Sequence, residues 1–188
     1  MYQICVSGAA KGESVEEGKE LAIELGKAIA KDGHALMTGA TIGLPNYAAE
    51  AYKKAGGSMS VGISPAASKV EHVRKYHLPI LAYDTIIYSG LHYVGRDTLL
   101  ITSSDAVVSV GGRMGTLHEF TIAVETDTPI GFLEGAGGVG DEIKKLIEVA
   151  RPMRSGTVII FNNSAPQLVK QLTDHLDVDN AKYRNIYQ

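Results

Sequence analysis

Short apolar runs alternate with longer amphipathic ones along the whole chain. The first, YQICVSG (2–8), reads as a strand. VEEGKELAIELGKAIAKDG (15–33) follows, with Leu21, Leu25, Ala28 and Ile29 on one helical face and Gly33 as the stop. The pattern continues with strands over 34–39, 58–64, within 80–89, 106–111, 129–134 and 157–162. Helices are expected over 45–57, 91–103, 115–127, 140–150 and 165–176, the first of these opened by Pro45 and closed by Gly56 and Gly57. Residues 65–79 read as a polar loop and 177–188 as a polar, loosely held tail. No internal repeat or linker interrupts residues 1–176, so they form a single domain. Strand–helix alternation predicts βαβ units and a doubly wound, mainly parallel sheet of about seven strands flanked by helices. Ligands of such sheets sit beyond the carboxyl ends of the strands, where strand order reverses.

Composition narrows the function classes. The 188 residues are enough for one well-packed core. Apolar residues make up 45% and charged residues 21%, as in ordinary globular domains. A net charge of −3 argues against a nucleic-acid footprint, so an anionic ligand would be held by local groups. The single Cys5 cannot form an internal disulfide, and its apolar strand suggests a buried, inert thiol. No apolar run reaches the ~18 residues of a membrane span, and no secretory signal opens the chain. A cytoplasmic setting is therefore expected.

Glycines cluster where strands end. Four such turns are SGAAKGES (7–14), TGATIGLP (38–45), VGGRMGT (110–116) and LEGAGGVGDE (133–142). Glycine permits positive φ and close approach of a ligand, and amides at a following helix N-terminus favour anions. One such turn is ordinary connection chemistry. Four on one sheet edge point to a nucleotide or phosphorylated sugar. A P-loop is excluded, because no G-x-x-x-x-G-K-[ST] occurs. A dinucleotide reductase is disfavoured: GAAKG lacks the fingerprint, and no acidic residue follows strand two in MTGATIG. Neither a metal-ligand cluster nor a G-x-S-x-G elbow is present, and the six histidines are scattered.

The third turn is ambiguous. Thr116-Leu-His-Glu119 has the spacing of a capping box, in which Thr116 caps the helix and Glu119 reaches back to its N–H. A carboxylate beside a phosphate cradle is repulsive, which suggests instead that Glu119 acts on something. Arg96, just upstream, is either a solvated helix arginine, a partner of Asp97 or Asp105, or part of the same site.

The succession SGAAKG, TGATIGLPNYAAEA, GRDTLLITSSDAVVSVGG and GGRMGTLHEF resembles the LOG-like Rossmann proteins over roughly residues 2–175. These include cytokinin-riboside-monophosphate phosphoribohydrolases and molybdenum-cofactor carrier-like proteins. Many have carried the label "possible lysine decarboxylase", for which no pyridoxal phosphate motif is present. The resemblance implies a Rossmann-like nucleotide-binding domain, with a motif P-G-G-x-G-T-x-x-E that aligns on Gly115, Thr116 and Glu119. Met114 takes the variable place, Arg113 and Gly112 the two glycines, and Gly111 the proline. Arg96 matches the family arginine, whereas Asp97 stands where the hydrolases usually have Lys and His118 where they often have Glu.

The implied reaction is cleavage of the N-glycosidic bond of a nucleoside 5′-monophosphate; the alternative is a non-catalytic nucleotide or pterin-cofactor carrier. Under the first reading Glu119 and Arg96 are catalytic, with Arg96 orienting Glu119 or lowering its pKa. Gly111, Gly112, Arg113, Met114, Gly115 and Thr116 hold the phosphate. Ser7, Gly8, Thr38, Gly39 and Gly43 contact sugar or base. No cofactor or metal is required, and AMP or phosphate is the expected occupant. A homodimer is expected through the 88–103 region, where Tyr88, Leu91, Tyr93, Leu99 and Leu100 are apolar.

Overall fold

Every strand of this chain is short and bounded by turns, and each is followed by a helix that returns it to the same sheet edge. A computed structural model describes residues 1–150 and 157–183. Its elements are β1 (Gln3–Gly8), α1 (Glu13–Lys31), β2 (Ala35–Thr38), α2 (Leu44–Lys54), β3 (Ser60–Ser64), α3 (Lys69–Arg74) and β4 (Thr85–Tyr88). They continue with α4 (His92–Thr102), β5 (Ala106–Val110), α5 (Met114–Glu125), β6 (Ile130–Leu133), α6 (Val139–Ala150), β7 (Ile159–Asn162) and α7 (Ala165–Ala181). Among the described residues the seven strands form one sheet in the order β4-β3-β2-β1-β5-β6-β7, all pairs parallel. This is the Rossmann-like doubly wound architecture.

The chain steps outward from β1 to β4, returns to the other side of β1 at β5, and steps outward again. With right-handed crossovers this reversal puts helices on both faces. One core layer joins Ile4, Val6, Leu36 and Val108 to Leu25, Ile29, Ala48 and Leu172. The other joins Cys5, Met37, Val107 and Phe132 to Leu100, Ile101, Phe120 and Ile143. The period-2 alternation of β1 therefore sends Ile4 and Val6 to the α1/α2/α7 side, and Cys5 and Ser7 to the α4/α5/α6 side. Central β5 is buried throughout, whereas edge strand β4 alternates exposed and half-buried. Among the described residues no helix is long and apolar enough to cross a membrane.

Two sequence expectations change. The presumed loop 65–79 contains α3, capped by Ser68, whose hydroxyl accepts from the Glu71 N–H at 3.2 Å. That turn buries His72, whose Nδ1 is 2.8 Å from the Ser64 hydroxyl and Nε2 3.0 Å from the Pro79 carbonyl. The last helix runs to Ala181, so residues 177–181 are helical; Leu176 seals against the core and Tyr2 donates to Asp177 at 2.6 Å. Residues 184–188 of the expected tail lie outside the described residues. Of the apolar 88–103 region, Leu100 is buried in the core, Tyr88 is half-buried, and Leu91, Tyr93 and Leu99 are exposed.

Candidate functional site

The reversal point lies between β1 and β5, whose carboxyl ends, Gly8 and Val110, are register partners. A Cβ on Gly8 would lie 2.7 Å from the Val110 carbonyl, so only glycine lets the strands end this close. Beyond them opens a cavity of about 320 Å³, a size suited to a small ligand. Its wall includes Ser7, Gly8, Lys11, Gly39, Tyr93, Arg96, Asp97, Arg113, Gly115, Thr116 and Glu119.

The glycine turn after β5 builds the cavity floor. Gly111 and Gly112 have φ of 57° and 110°. The Gly112 carbonyl accepts from the Val139 N–H at 2.9 Å, tying this turn to the start of α6. The first ladder bond of α5 runs from the Leu117 N–H to the Arg113 carbonyl at 3.0 Å. The amides of Met114, Gly115 and Thr116 therefore precede the helix's own hydrogen bonds. At Gly115 a side chain would meet nothing within 4 Å, so the missing Cβ leaves open space above these amides.

Of the two readings of Thr116–Glu119, the capping box is not the one adopted. The N-cap lies three residues before Thr116, at Arg113, which makes no side-chain cap bond, and α5 begins at Met114. Glu119 turns away from its own helix and accepts a short hydrogen bond from the Ser7 hydroxyl across the sheet. Its other oxygen lies 3.7 Å from Arg96 Nη1. Gly39 makes room for that guanidinium, since a Cβ there would fall 1.8 Å from Nη1.

Arg96 and Asp97, both on α4, are buried, and Arg96 Nε lies 3.5 Å from Asp97 Oδ1. That contact is ionic: among the described residues Nε has no hydrogen-bond acceptor. Asp97 Oδ2 is 2.9 Å from His118 Nδ1. Arg113 is exposed and lines the mouth without filling it, its Nη1 lying 3.6 Å from where a Cβ on Gly12 would stand.

The charge state of Glu119 differs from the sequence expectation. Burial first, and the Asp97 charge second, push its carboxyl up to about 7; Arg96, the Ser7 hydroxyl and His118 act in the opposite direction and do not offset them. Arg96 does lower the pKa, as expected, but a guanidinium shared with Asp97 cannot hold Glu119 fully ionised. The Cys5 thiol behind Glu119 is pushed well above its ordinary range by burial, consistent with an inert core cysteine.

A pH-dependent stability follows. The folded carboxyl keeps its proton up to about 7, above its ordinary 4.5. Its contribution is full below the lower value and is lost as pH rises through the upper one. Glu119→Gln removes the dependence. Measured by scanning calorimetry, the melting temperature of the variant minus that of the native chain is expected to be several degrees higher at about pH 8 than at about pH 5. The scale is at most about 3 kcal/mol, at roughly 2–4 °C per kcal/mol for a chain of this size. A difference independent of pH would contradict a buried proton on Glu119.

Of the other expected contacts, Gly111 and Gly112 lie beneath the cavity wall, packed against Ala136 and Thr116 respectively, and support the turn. Met114 is 76% exposed and is not part of the cavity wall. Thr38 is buried and bonds the Tyr83 hydroxyl at 2.8 Å and the Ala40 N–H at 2.9 Å. Gly43 has φ 80° and would place a Cβ 2.4 Å from the Ala9 carbonyl, so it positions the first turn. Lys11, Thr41 and Pro45 join the wall without having been singled out, although all three lie in the glycine turns. Tyr93, from the region expected at an interface, borders the cavity. Among the described residues no group of three His, Cys, Asp or Glu is placed to hold a metal ion.

A doubly wound parallel sheet with open helix amides and an acid at its reversal point defines a class of ligand-binding Rossmann-like proteins. The chain belongs to the SLOG cluster4 family, whose model matches residues 1–169. It is 35% identical over 125 residues to an uncharacterised protein of Archaeoglobus fulgidus, covering 66% of this chain and 75% of that one. Its fold matches TM1055 with TM-score 0.78 at 23% identity, covering 93% of this chain and 99% of the other. It also matches the molybdenum cofactor carrier protein of Chlamydomonas reinhardtii with TM-score 0.71 at 30% identity, over 92% of this chain and 98% of that one.

Proposed function

We propose that the chain binds a nucleoside 5′-monophosphate in this cavity and hydrolyses its N-glycosidic bond, giving free base and ribose 5-phosphate. The observation that carries this reading is the position of Glu119: a buried carboxyl drawn off its own helix to Ser7, in the same cavity wall as the first turn of α5. The 5′-phosphate would rest on the amides of Met114 to Thr116, where the helix dipole favours an anion. Arg113 and Lys11 at the mouth would add charge-assisted contacts. Glu119 would then face the ribose. As a carboxylate it balances the oxocarbenium-like charge at C1′ and takes a proton from the attacking water; the C1′–N bond breaks, its electrons leave with the base, and that proton passes to the base nitrogen, which restores the carboxylate. A carboxyl titrating near 7 suits a base working at neutral pH.

A second reading is favoured by the 30% identity to a molybdenum cofactor carrier over nearly the whole chain. A phosphate-bearing pterin could use the same amides and cations, with Glu119 as a hydrogen-bonding wall. The bound group would supply the redox chemistry elsewhere, and this chain would only hold and shield it. Incubation of the purified protein with AMP and the other natural monophosphates, followed by chromatography, separates the two. Base and ribose 5-phosphate in equal amounts are expected. Thermal stabilisation by a monophosphate with no release of base would overturn the hydrolase reading in favour of the carrier.

A further inference from the structure

The geometry points to a relay in which the partly exposed His118 acts through Asp97 to govern the charge of Glu119, making His118 and Asp97 positioning residues for the carboxyl in the cavity. Its consequence for turnover rests on the hydrolase reading; its effect on Glu119 does not.

Positive charge is short around Glu119. Arg96 is one buried cation between two buried acids, 3.5 Å from Asp97 and 3.7 Å from Glu119. With both acids ionised the trio carries one negative charge on largely buried groups that water stabilises little, which is costly. One added proton balances it. That proton has two seats near the trio: Glu119 itself, or His118, whose Nδ1 lies 2.9 Å from the far oxygen of Asp97. Because an ionised Asp97 can only accept, His118 Nδ1–H donates to it. The side chain of His118 is 37% exposed, so it can exchange protons with solvent while its partner stays buried. The two seats compete for one proton.

The remaining groups around Glu119 do not fill the shortage. From β1 come Cys5 and Ser7, both neutral, the latter donating its hydroxyl. From α4 come Arg96 and Asp97, and from α5 His118. Lys11 and Arg113 stand on the cavity wall where a ligand's anion would meet them. Asp97 and His118 touch, the acid on α4 and the base on α5, so the anion beside Arg96 faces a histidine on its far side.

The test titrates Glu119 directly, by carbon NMR of the protein labelled at the glutamate side-chain carboxyl, with the signal assigned by its loss in Glu119→Gln. The native midpoint is expected near 7. His118→Gln is expected to raise it by about one unit, because Glu119 becomes the only proton seat, and His118→Lys to lower it by a similar amount. Asp97→Asn is expected to lower it by about one unit or more, since Arg96 then serves Glu119 alone. In the Asp97→Asn background His118→Gln should have a clearly smaller effect, because only the direct Coulomb interaction of His118 with Glu119 remains. An unchanged midpoint in His118→Gln, the same direction of shift for His118→Gln and His118→Lys, or an equal rise with and without Asp97 would overturn the relay. Should Asp97→Asn not fold, the two His118 variants, at a partly exposed position, still decide. If the midpoints move as stated while no monophosphate is cleaved, the relay stands and only the hydrolysis reading falls.

Discussion

Glu119→Gln is expected to lower the rate of base release from AMP by at least ~100-fold while leaving KM within a few-fold of the native value. Glutamine matches the shape of the carboxyl and can still accept the Ser7 hydrogen bond, so the wall of the cavity is preserved. It cannot take a proton from water or carry the negative charge that balances C1′. The amides of Met114 to Thr116, which would carry the phosphate, are untouched by the change. The pH profile adds a second reading of the same residue. The native rate is expected to climb with pH through about 7, where the buried carboxyl ionises. The residual rate of the variant should lack that limb. A Gln variant that keeps its rate, or loses rate while keeping the limb, would show that the acting base is another group.

The second large effect concerns the fold that carries the site. Gly26→Ala is expected to destabilise the chain by about 2 kcal/mol. Alanine gains about 1 kcal/mol of helix propensity over glycine in the middle of α1. Against that, the new Cβ would sit 2.1 Å from the carbonyl oxygen of Ala48 and 2.9 Å from its carbonyl carbon. Those atoms are α2 backbone and cannot rotate away, so the two helices must separate. Overpacking of this kind costs roughly 1–3 kcal/mol and more where backbone has to move, so the clash outweighs the propensity. The melting temperature should fall by roughly 4–8 °C. A stabilised variant would show that α1 and α2 are free to move apart.

Two stretches with the same local signature show how far the sequence could be read. Ser68-Lys-Val-Glu71 and Thr116-Leu-His-Glu119 share the S/T-x-x-E spacing. The first does cap its helix, with Ser68 accepting from Glu71 N–H and Glu71 accepting from the Ala67 N–H at 2.7 Å, although the stretch reads as a loop by its polarity. The second reads as a cap and does not cap. A surface turn has no better partner for its glutamate than its own backbone. A turn at the reversal point has a strand hydroxyl facing it, supplied by a residue 112 positions away.

Local pattern alone determined the alternation of strands and helices and the glycine turns on one sheet edge. With the family resemblance added, the sequence also singled out Arg96, Arg113, Thr116 and Glu119, all of which the fold brings to one cavity. These are legible because hydrophobic period, turn chemistry and motif spacing are properties of neighbours in the chain. The tertiary structure alone decided that Glu119 bonds Ser7, that Arg96 is shared between two acids, and that His118 reaches Asp97. It also decided that burial raises the Glu119 carboxyl to about 7. Desolvation and Coulomb interaction depend on which groups are packed together through space, and the parallel sheet packs together residues from β1, α4 and α5 that are far apart in the chain.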